Sequence, residues 1–430
     1  MHIAIITAGG AGMFCGSCMH DNTWAKSLQA AGAEVTLIPT YTPVRVDEEN
    51  LSVERVFLGG INVYMDARWP RLWGKLPRFL TRWLDAPGLL NLTRFASNDA
   101  KTLGPLTVAM LKGDTGPDRR EFAELVEFLS SQLKPDVICF SNALLAGAVR
   151  TLRQQFDGRI YCILQGDDIF LKDLPEPFQS QAIEAIHARA DDFDGFLVHS
   201  DYYGDFMTDY LGLSPEKFHK LPLGIDLTDH DGQPTAQKQE LFTVGYFARI
   251  CEEKGLHQLI DAVRILKRRQ ASVRLVAGGF LGKRDAAYFR QVTRDARDLG
   301  DAFQYVGSPQ THAEKVALLK HFDVLSVPTV YREPKGLYVL EALANGIPVV
   351  QPRHGAFPEL IESTGGGLLV EPGNAEELAD ALETLMHDAE RRIELATTGR
   401  ANVHSAYNEQ TMAEATLQLF NTSIGGANSV

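Results

Sequence analysis

The sequence predicts an α/β protein of two Rossmann-like, doubly wound parallel-sheet domains, and three observations carry that expectation. A chain of 430 residues exceeds what one ordinary hydrophobic core organises, so two domains are expected. Residues 2–39 run through a buried apolar stretch, a glycine-rich loop, a helical stretch and a second apolar run, the pattern of a βαβ opening. After the Gly- and Pro-containing segment Asp229 to Gln239, the same alternation begins again at Leu241.

In the first half, His2 to Thr7 reads as a strand, Gly9 to Gly16 as a loop, Asp21 to Ala31 as a helix stopped by Gly32, and Glu34 to Pro39 as the second strand. Gly9, Gly10, Gly12 and Gly16 do not fit the dinucleotide fingerprint. The second strand ends Leu37-Ile38-Pro39-Thr40 with no acid to hold a ribose, which argues against a nicotinamide cofactor. These glycines either let a ligand approach the backbone or only form a tight turn. Cys15 and Cys18 have thiol-pair spacing, but no second pair completes a set of four zinc ligands, so they read as ordinary thiols. Asp21 either caps the helix that follows or joins His20 in facing a ligand.

Residues 41–120 form an insertion. In helical projection Arg71, Lys75, Arg78 and Arg82 share one face, while Leu72, Trp73, Leu76, Phe79, Leu80, Trp83 and Leu84 occupy the other, with Pro77 dividing the helix in two. The aromatic face either packs on the first domain or lays residues 69–95 peripherally on an anionic membrane. The doubly wound pattern resumes at Glu121, with strands at Asp136 to Phe140, Arg159 to Leu164, Gly195 to His199 and Lys217 to Leu221. Gln165-Gly166-Asp167-Asp168 follows the second of these, its acids either binding a hydroxylic ligand or capping the next segment. The acids Asp191 to Asp194 read as a solvated turn rather than a metal-binding pair.

The second half opens with a strand, Leu241 to Phe247, after which Arg249 and Lys254 precede a helix, Gly255 to Arg268. Two cations between a strand end and a helix start suit a phosphate. Phe322 to Pro328 reads as a buried strand, and Arg332 to Glu341 follows as Arg-Glu-Pro-Lys-Gly-Leu-Tyr-Val-Leu-Glu. Leu337, Leu340, Leu343 and Ala344 have helical spacing up to Gly346 and Pro348. The N–H groups of Gly336, Leu337 and Tyr338 then stand at the positive end of a helix dipole, where an anion is favoured. Glu333 in the loop and Glu341 about a turn inside the helix can accept hydrogen bonds from sugar hydroxyls on either side of a phosphate. Together these groups suit a nucleotide sugar.

The spacing of Glu333 and Glu341, followed by Ala342, Gly346, Pro348-Val349-Val350, Gly355, Pro358-Glu359 and Gly367-Leu368-Leu369-Val370, resembles the donor-site signature of the retaining glycosyltransferases of family four, also called group 1. Val244 to Gly255 is similar to the family segment whose Arg and Lys, here Arg249 and Lys254, bind the donor diphosphate. Leu221 to Asp226 is similar to the Pro-Asn-Gly-Val-Asp that closes the first domain, with Leu223 where Asn is usual. The resemblance implies the GT-B fold, two Rossmann-like domains facing each other across a cleft. The expected parts are an acceptor-side domain at 1–228, a linker at 229–239, a donor domain at 240–405, and a C-terminal helix at 406–430 crossing back to the first domain.

The same resemblance implies transfer of a sugar from a nucleoside diphosphate sugar to a hydroxyl acceptor (a glycan, a lipid-linked acceptor or a small molecule) with retention of configuration. It needs no metal and no cofactor. Arg249, Lys254 and Glu333 are the expected catalytic residues. Gly9, Gly10, Gly12, Gln165, Gly336, Leu337, Tyr338 and Glu341 are expected around the donor, and His20, Asp21 and Asp167 on the acceptor side. Gln165 stands where many members carry a His, so no histidine role is carried over. An epimerase or hydrolase on the same fold, or a non-catalytic nucleotide-sugar-binding partner, are the alternatives.

Composition narrows the setting. A net charge of −13 with no contiguous basic run argues against a nucleic-acid partner. The chain opens directly on a strand, without a secretory signal, and its five cysteines are few and odd in number. A cytoplasmic protein is the expectation, with peripheral membrane contact through 69–95 as the variant.

Overall fold

The computed structural model describes residues 1–9, 15–58, 100–116, 119–234 and 241–425. The amphipathic stretch expected at 69–95 lies outside them. The chain divides into two compact units, Met1–His199 with Tyr203–Leu221 and Met412–Val430, and Ser200–Tyr202 with Pro222–Thr411.

The first unit holds a six-stranded sheet of β1 (His2–Thr7), β2 (Glu34–Pro39), β3 (Val137–Phe140), β4 (Arg159–Ile163), β5 (Gly195–Val198) and β6 (Phe218–Lys220). The order is β2-β1-β3-β4-β5-β6 and every neighbouring pair is parallel. Apolar runs make the central strands of this sheet, as expected where both faces of a parallel sheet are covered. Ile3 to Ile6 and Val137 to Phe140 are accordingly buried throughout. The helix Glu409–Gly425 belongs to this core through Met412, Ala413 and Phe420. Phe420 stacks on Tyr161 at 5.0 Å, and the Trp24 indole donates to the Thr416 hydroxyl at 3.0 Å.

Two readings of this unit change. The first helix runs Gly16–Ala30, with Cys15 at its N-cap and no side-chain cap bond. Asp21 is therefore more than a turn inside the helix and fully buried, so it caps nothing. Cys15 lacks the side-chain oxygen that marks a helix start in a sequence, so the earlier boundary left no signal.

Asp194, expected in a solvated turn, is instead gripped. Its carboxylate accepts from the Arg153 guanidinium, from Arg159 at 2.8 Å and from the Ile160 N–H at 2.7 Å. Burial works to raise its pKa, but the Ile160 N–H and the two guanidinium groups outweigh burial and hold the carboxyl below its usual range. A depressed folded-state pKa gives stability that is present above the unfolded value, about 3.9, and is lost as pH falls through the folded one. Asp194→Ala is expected to lower the stability of this unit by about 1–3 kcal/mol at pH 7. The difference should shrink below about pH 4. All four tryptophans precede residue 200, so denaturant unfolding followed by their fluorescence reads this unit. An unchanged midpoint would contradict the expectation.

The second unit holds another six-stranded parallel sheet: β7 (Phe242–Phe247), β8 (Val273–Gly278), β9 (Phe303–Tyr305), β10 (Val324–Leu325), β11 (Val349–Pro352) and β12 (Gly367–Val370). The order is β12-β11-β10-β7-β8-β9. The direction in which successive strands are added reverses at β7, with β8 and β9 laid to one side and β10 to β12 to the other. The loops leaving β7 and β10 thus lie side by side at a switch point, where sheets of this kind bind ligands. The expected strand at 322–328 is short as a ladder, although the Asp323 and Ser326 N–H groups still donate to Thr243 and Gly245 of β7. Helix Leu256–Arg268 buries Leu256, Leu259, Ile260, Val263 and Leu266, one continuous helical face.

Candidate functional site

Arg249 and Lys254 lie in the loop that leaves β7, and Glu333 in the loop that leaves β10. The two loops meet. Lys254 Nζ donates to Glu333 Oε2 at 2.6 Å and to the Tyr331 hydroxyl at 2.7 Å, and sits over the Tyr331 and Tyr338 rings at 5.0 and 5.1 Å. Both phenols donate to the same Oε2, Tyr331 at 2.8 Å and Tyr338 at 3.0 Å. Three donors therefore converge on one oxygen of a carboxylate only 5% exposed. Glu333 Oε1 has no protein partner among the described residues. Burial works to raise the Glu333 pKa, but the Lys254 charge and these hydrogen bonds outweigh it and hold the carboxyl below its usual range.

Glu341 is arranged in parallel. Its Oε1 takes Lys315 Nζ at 2.9 Å, and its Oε2 has no protein partner among the described residues. Each acid of the signature is thus pinned by one lysine through one oxygen. Between them, Gly336 caps the helix Leu337–Ala344 at φ +80. The N–H groups of Gly336, Leu337 and Tyr338 find no backbone acceptor among the described residues. Arg249 is about a third exposed, and its Nε donates to Cys251 Sγ at 3.3 Å. Burial opposes its charge, but Cys251 and the nearby acids Asp285 and Glu253 outweigh burial and raise its pKa.

Two glycines allow the loops to approach. A Cβ on Gly255, at φ +70, would fall 1.8 Å from the Pro328 carbonyl oxygen, so the turn after Lys254 packs directly on the backbone following β10. A Cβ on Gly355, at φ +62, would fall 2.6 Å from both the N and the O of Glu333. Next to it, the Ala356 N–H donates to the Glu333 carbonyl at 2.8 Å. This stretch after β11 therefore holds the Glu333 backbone in place.

In the first unit the structure brings His20, Asp21 and Gln165 together at the carboxyl ends of β1, β3 and β4. Gln165 Nε2 donates to Asp21 Oδ1 at 2.8 Å and to the Ser141 carbonyl at 3.3 Å, and the Thr7 hydroxyl donates to Asp21 Oδ2 at 2.7 Å. His20 Nδ1 lies 3.4 Å from Asp21 Oδ1, its ring against His199 at 4.6 Å. Asp167 is occupied elsewhere. Its oxygens accept the N–H groups of Ala143 at 2.6 Å and Gln165 at 2.9 Å, tying the loops after β3 and β4 together, and burial pushes its pKa up to about 6. Gly9 has φ +73, while Gly10 and Gly12 lie outside the described residues.

Sequence reasoning missed Tyr331, the Tyr338 hydroxyl and Lys315. No spacing rule points to a phenol in a loop. Lys315 did leave a signal, since it shares the buried face of helix His312–Lys320 with Val316 and Leu319, and a buried lysine needs a partner.

Residues 229–402 match the family described as glycosyl transferases group 1, a span that contains Arg249, Lys254, Glu333 and Glu341. The chain is 29% identical over 261 residues to WcaL of Escherichia coli (strain K12), named for colanic acid biosynthesis; the match covers 59% of this chain and 62% of that protein. Its fold is similar to that of a sucrose-phosphate synthase from Thermosynechococcus elongatus, with TM-score 0.72 and 20% identity over 99% of this chain and 100% of the other. It is similar as well to Anabaena HepE in complex with UDP and glucose, with TM-score 0.67 and 18% identity over 97% and 99% of the two chains. Residues 229–402 are thus similar to the glycosyl transferases group 1, and the two parallel-sheet, Rossmann-like domains of the chain are those of the GT-B fold.

Proposed function

We propose that this protein is a retaining glycosyltransferase, moving a sugar from a nucleoside diphosphate sugar to a hydroxyl acceptor in the cytoplasm without a metal ion. One observation carries the reading. At the switch point of the second sheet, two carboxylates are each anchored by a lysine through one oxygen, on either side of a helix start whose N–H groups have no backbone acceptor among the described residues.

The departing diphosphate would be met by Arg249, Lys254 and the N–H groups of Gly336, Leu337 and Tyr338, a set of fixed donors aimed at developing negative charge. Lys254 and Glu333 form a neutral pair before a donor arrives, so the ammonium is shared with the phosphate on binding. Glu333 Oε1 would orient a hydroxyl of the transferred sugar, and Glu341 Oε2 would take the ribose. No side chain is assigned as nucleophile. The leaving phosphate would accept the proton of the attacking hydroxyl, which breaks the sugar–phosphate bond and forms the new glycosidic bond on the same face. His20, Asp21 and Asp167 are the acceptor-side candidates; the first unit gathers His20 and Asp21 beside Gln165, the candidate on the donor side. The acceptor is a glycan, a lipid-linked sugar or a small molecule, and residues 69–95 are the candidate membrane contact. The UDP and glucose named with the Anabaena protein support a nucleotide-sugar donor.

A thermal-shift screen with UDP, GDP, ADP and their sugar conjugates tests this. A selective rise for one base is expected, equivalent to about 2.7 kcal/mol at a ligand concentration 100 times Kd, unchanged by a chelator. No shift with any of them in folded protein would overturn the donor site, and a shift abolished by the chelator would overturn metal independence. Conversion of the donor without any acceptor would point to an epimerase or hydrolase instead. Among the described residues no helix is long and apolar enough to cross a membrane.

A further inference from the structure

We infer that Lys315 is a positioning residue for the nucleotide's ribose, and that its buried pairing with Glu341 lets the second unit distinguish ribonucleotides from deoxyribonucleotides. This rests on the proposed reading of that unit as a nucleotide site.

A glutamate on a helix is long and free to rotate, and a free carboxylate recognises a diol poorly because ordering it opposes binding. Glu341 is not free. Its helix, Leu337–Ala344, packs beside His312–Lys320, which places Lys315 Nζ 2.9 Å from Oε1, with the two side chains only 4% and 12% exposed. Lysine is almost never this buried unless paired. The pair fixes which oxygen remains for a ligand. Oε2 is the oxygen left over. The neighbouring polar groups do not compete for it. Asn345 Nδ2 donates to the Glu341 carbonyl at 3.0 Å and lies 2.7 Å from His230 Nδ1. Burial first and the Lys315 charge second push the His230 pKa down to about 3, so this ring stays neutral and brings no second cation to Glu341.

A ribose offers two adjacent hydroxyl donors to one fixed acceptor, and a dideoxyribose offers none. A hydrogen bond to a charged group contributes about 1.5–3 kcal/mol, so wild-type protein should prefer the ribonucleotide by about 10- to 100-fold.

The test measures Kd for UDP, GDP and ADP by calorimetry, and then for the 2′,3′-dideoxy form of whichever binds, in wild type, Lys315→Met and Lys315→Arg, each first shown to be folded by circular dichroism. The expected result is a ribo-to-dideoxy ratio of at least about 10 in wild type, below about 3 in Lys315→Met, and largely restored in Lys315→Arg. If Lys315→Met does not fold, Lys315→Gln, which keeps a donor without the charge, should show an intermediate ratio. Equal weakening of both nucleotides with the ratio preserved would mean that Lys315 only supports the fold, and overturns the inference while leaving the nucleotide site standing. Absence of binding by every diphosphate in wild type overturns both.

Discussion

Lys254→Ala is expected to lower kcat/KM for sugar transfer by about 100- to 1,000-fold, the scale on which removing one donor to a developing anion acts. Two losses combine. The leaving diphosphate loses a charge beside it, and Glu333, 5% exposed, loses the cation that opposes its burial. Removing one partner of a buried pair destabilises by about 3–5 kcal/mol. Lys254→Ala with Glu333→Gln should therefore recover much of the stability and none of the activity, which separates the two losses.

A sign change in pH dependence accompanies them. In wild type the Glu333 pKa is held low, so its contribution is intact above the unfolded value, about 4.3, and disappears only as pH falls through the folded one. In Lys254→Ala, with burial no longer outweighed, the folded pKa lies above the unfolded value, and stability then falls as pH rises. Melting curves from pH 5 to 8 check the sign. Activity within about threefold of wild type would remove Lys254 from the reaction.

Gly355→Ala is expected to reduce kcat by about 10- to 100-fold without removing any group that touches substrate. At φ +62 an alanine carries a conformational penalty of about 1–2 kcal/mol, and its Cβ would stand 2.6 Å from the Glu333 N and O. Backbone must move, and the backbone that moves is that of Glu333. Gly373→Ala is the control, because Gly373 also has positive φ, +76, but its added Cβ meets nothing within 4 Å. It should show the penalty in stability and normal transfer. Equal activity in the two variants would show that the Glu333 position does not depend on Gly355.

Much of this was legible in the sequence because the strands of a parallel sheet are unbroken apolar runs, and Ile3 to Ile6 or Val244 to Tyr246 could hardly read otherwise. The acids, the cations and the helix start at Gly336 announced themselves by residue type at strand ends. What stayed hidden is side-chain pairing across distance in sequence. Nothing in the spacing joins Lys315 to Glu341, or sends the Tyr331 and Tyr338 hydroxyls to the same oxygen of Glu333. Asp194 looked solvated because its arginines, Arg153 and Arg159, come from the preceding helix and strand. The helix beginning at Gly16 was missed because Cys15 carries no capping oxygen, and the reach of residues 69–95 lies outside what the structure describes.

Lys254 and Glu333 are 79 positions apart along the chain, and they meet only where β10 lies beside β7. During synthesis, a chain that has emerged as far as β9 already carries Arg249 and Lys254, the cations proposed to meet the phosphate, and neither acid. Closing that long loop is an entropic barrier which local helix formation does not help to cross. On the proposed reading, nucleotide affinity is therefore acquired late and all at once, when the second half of the sheet docks, and a nucleotide present at that moment would trap the completed sheet against reopening.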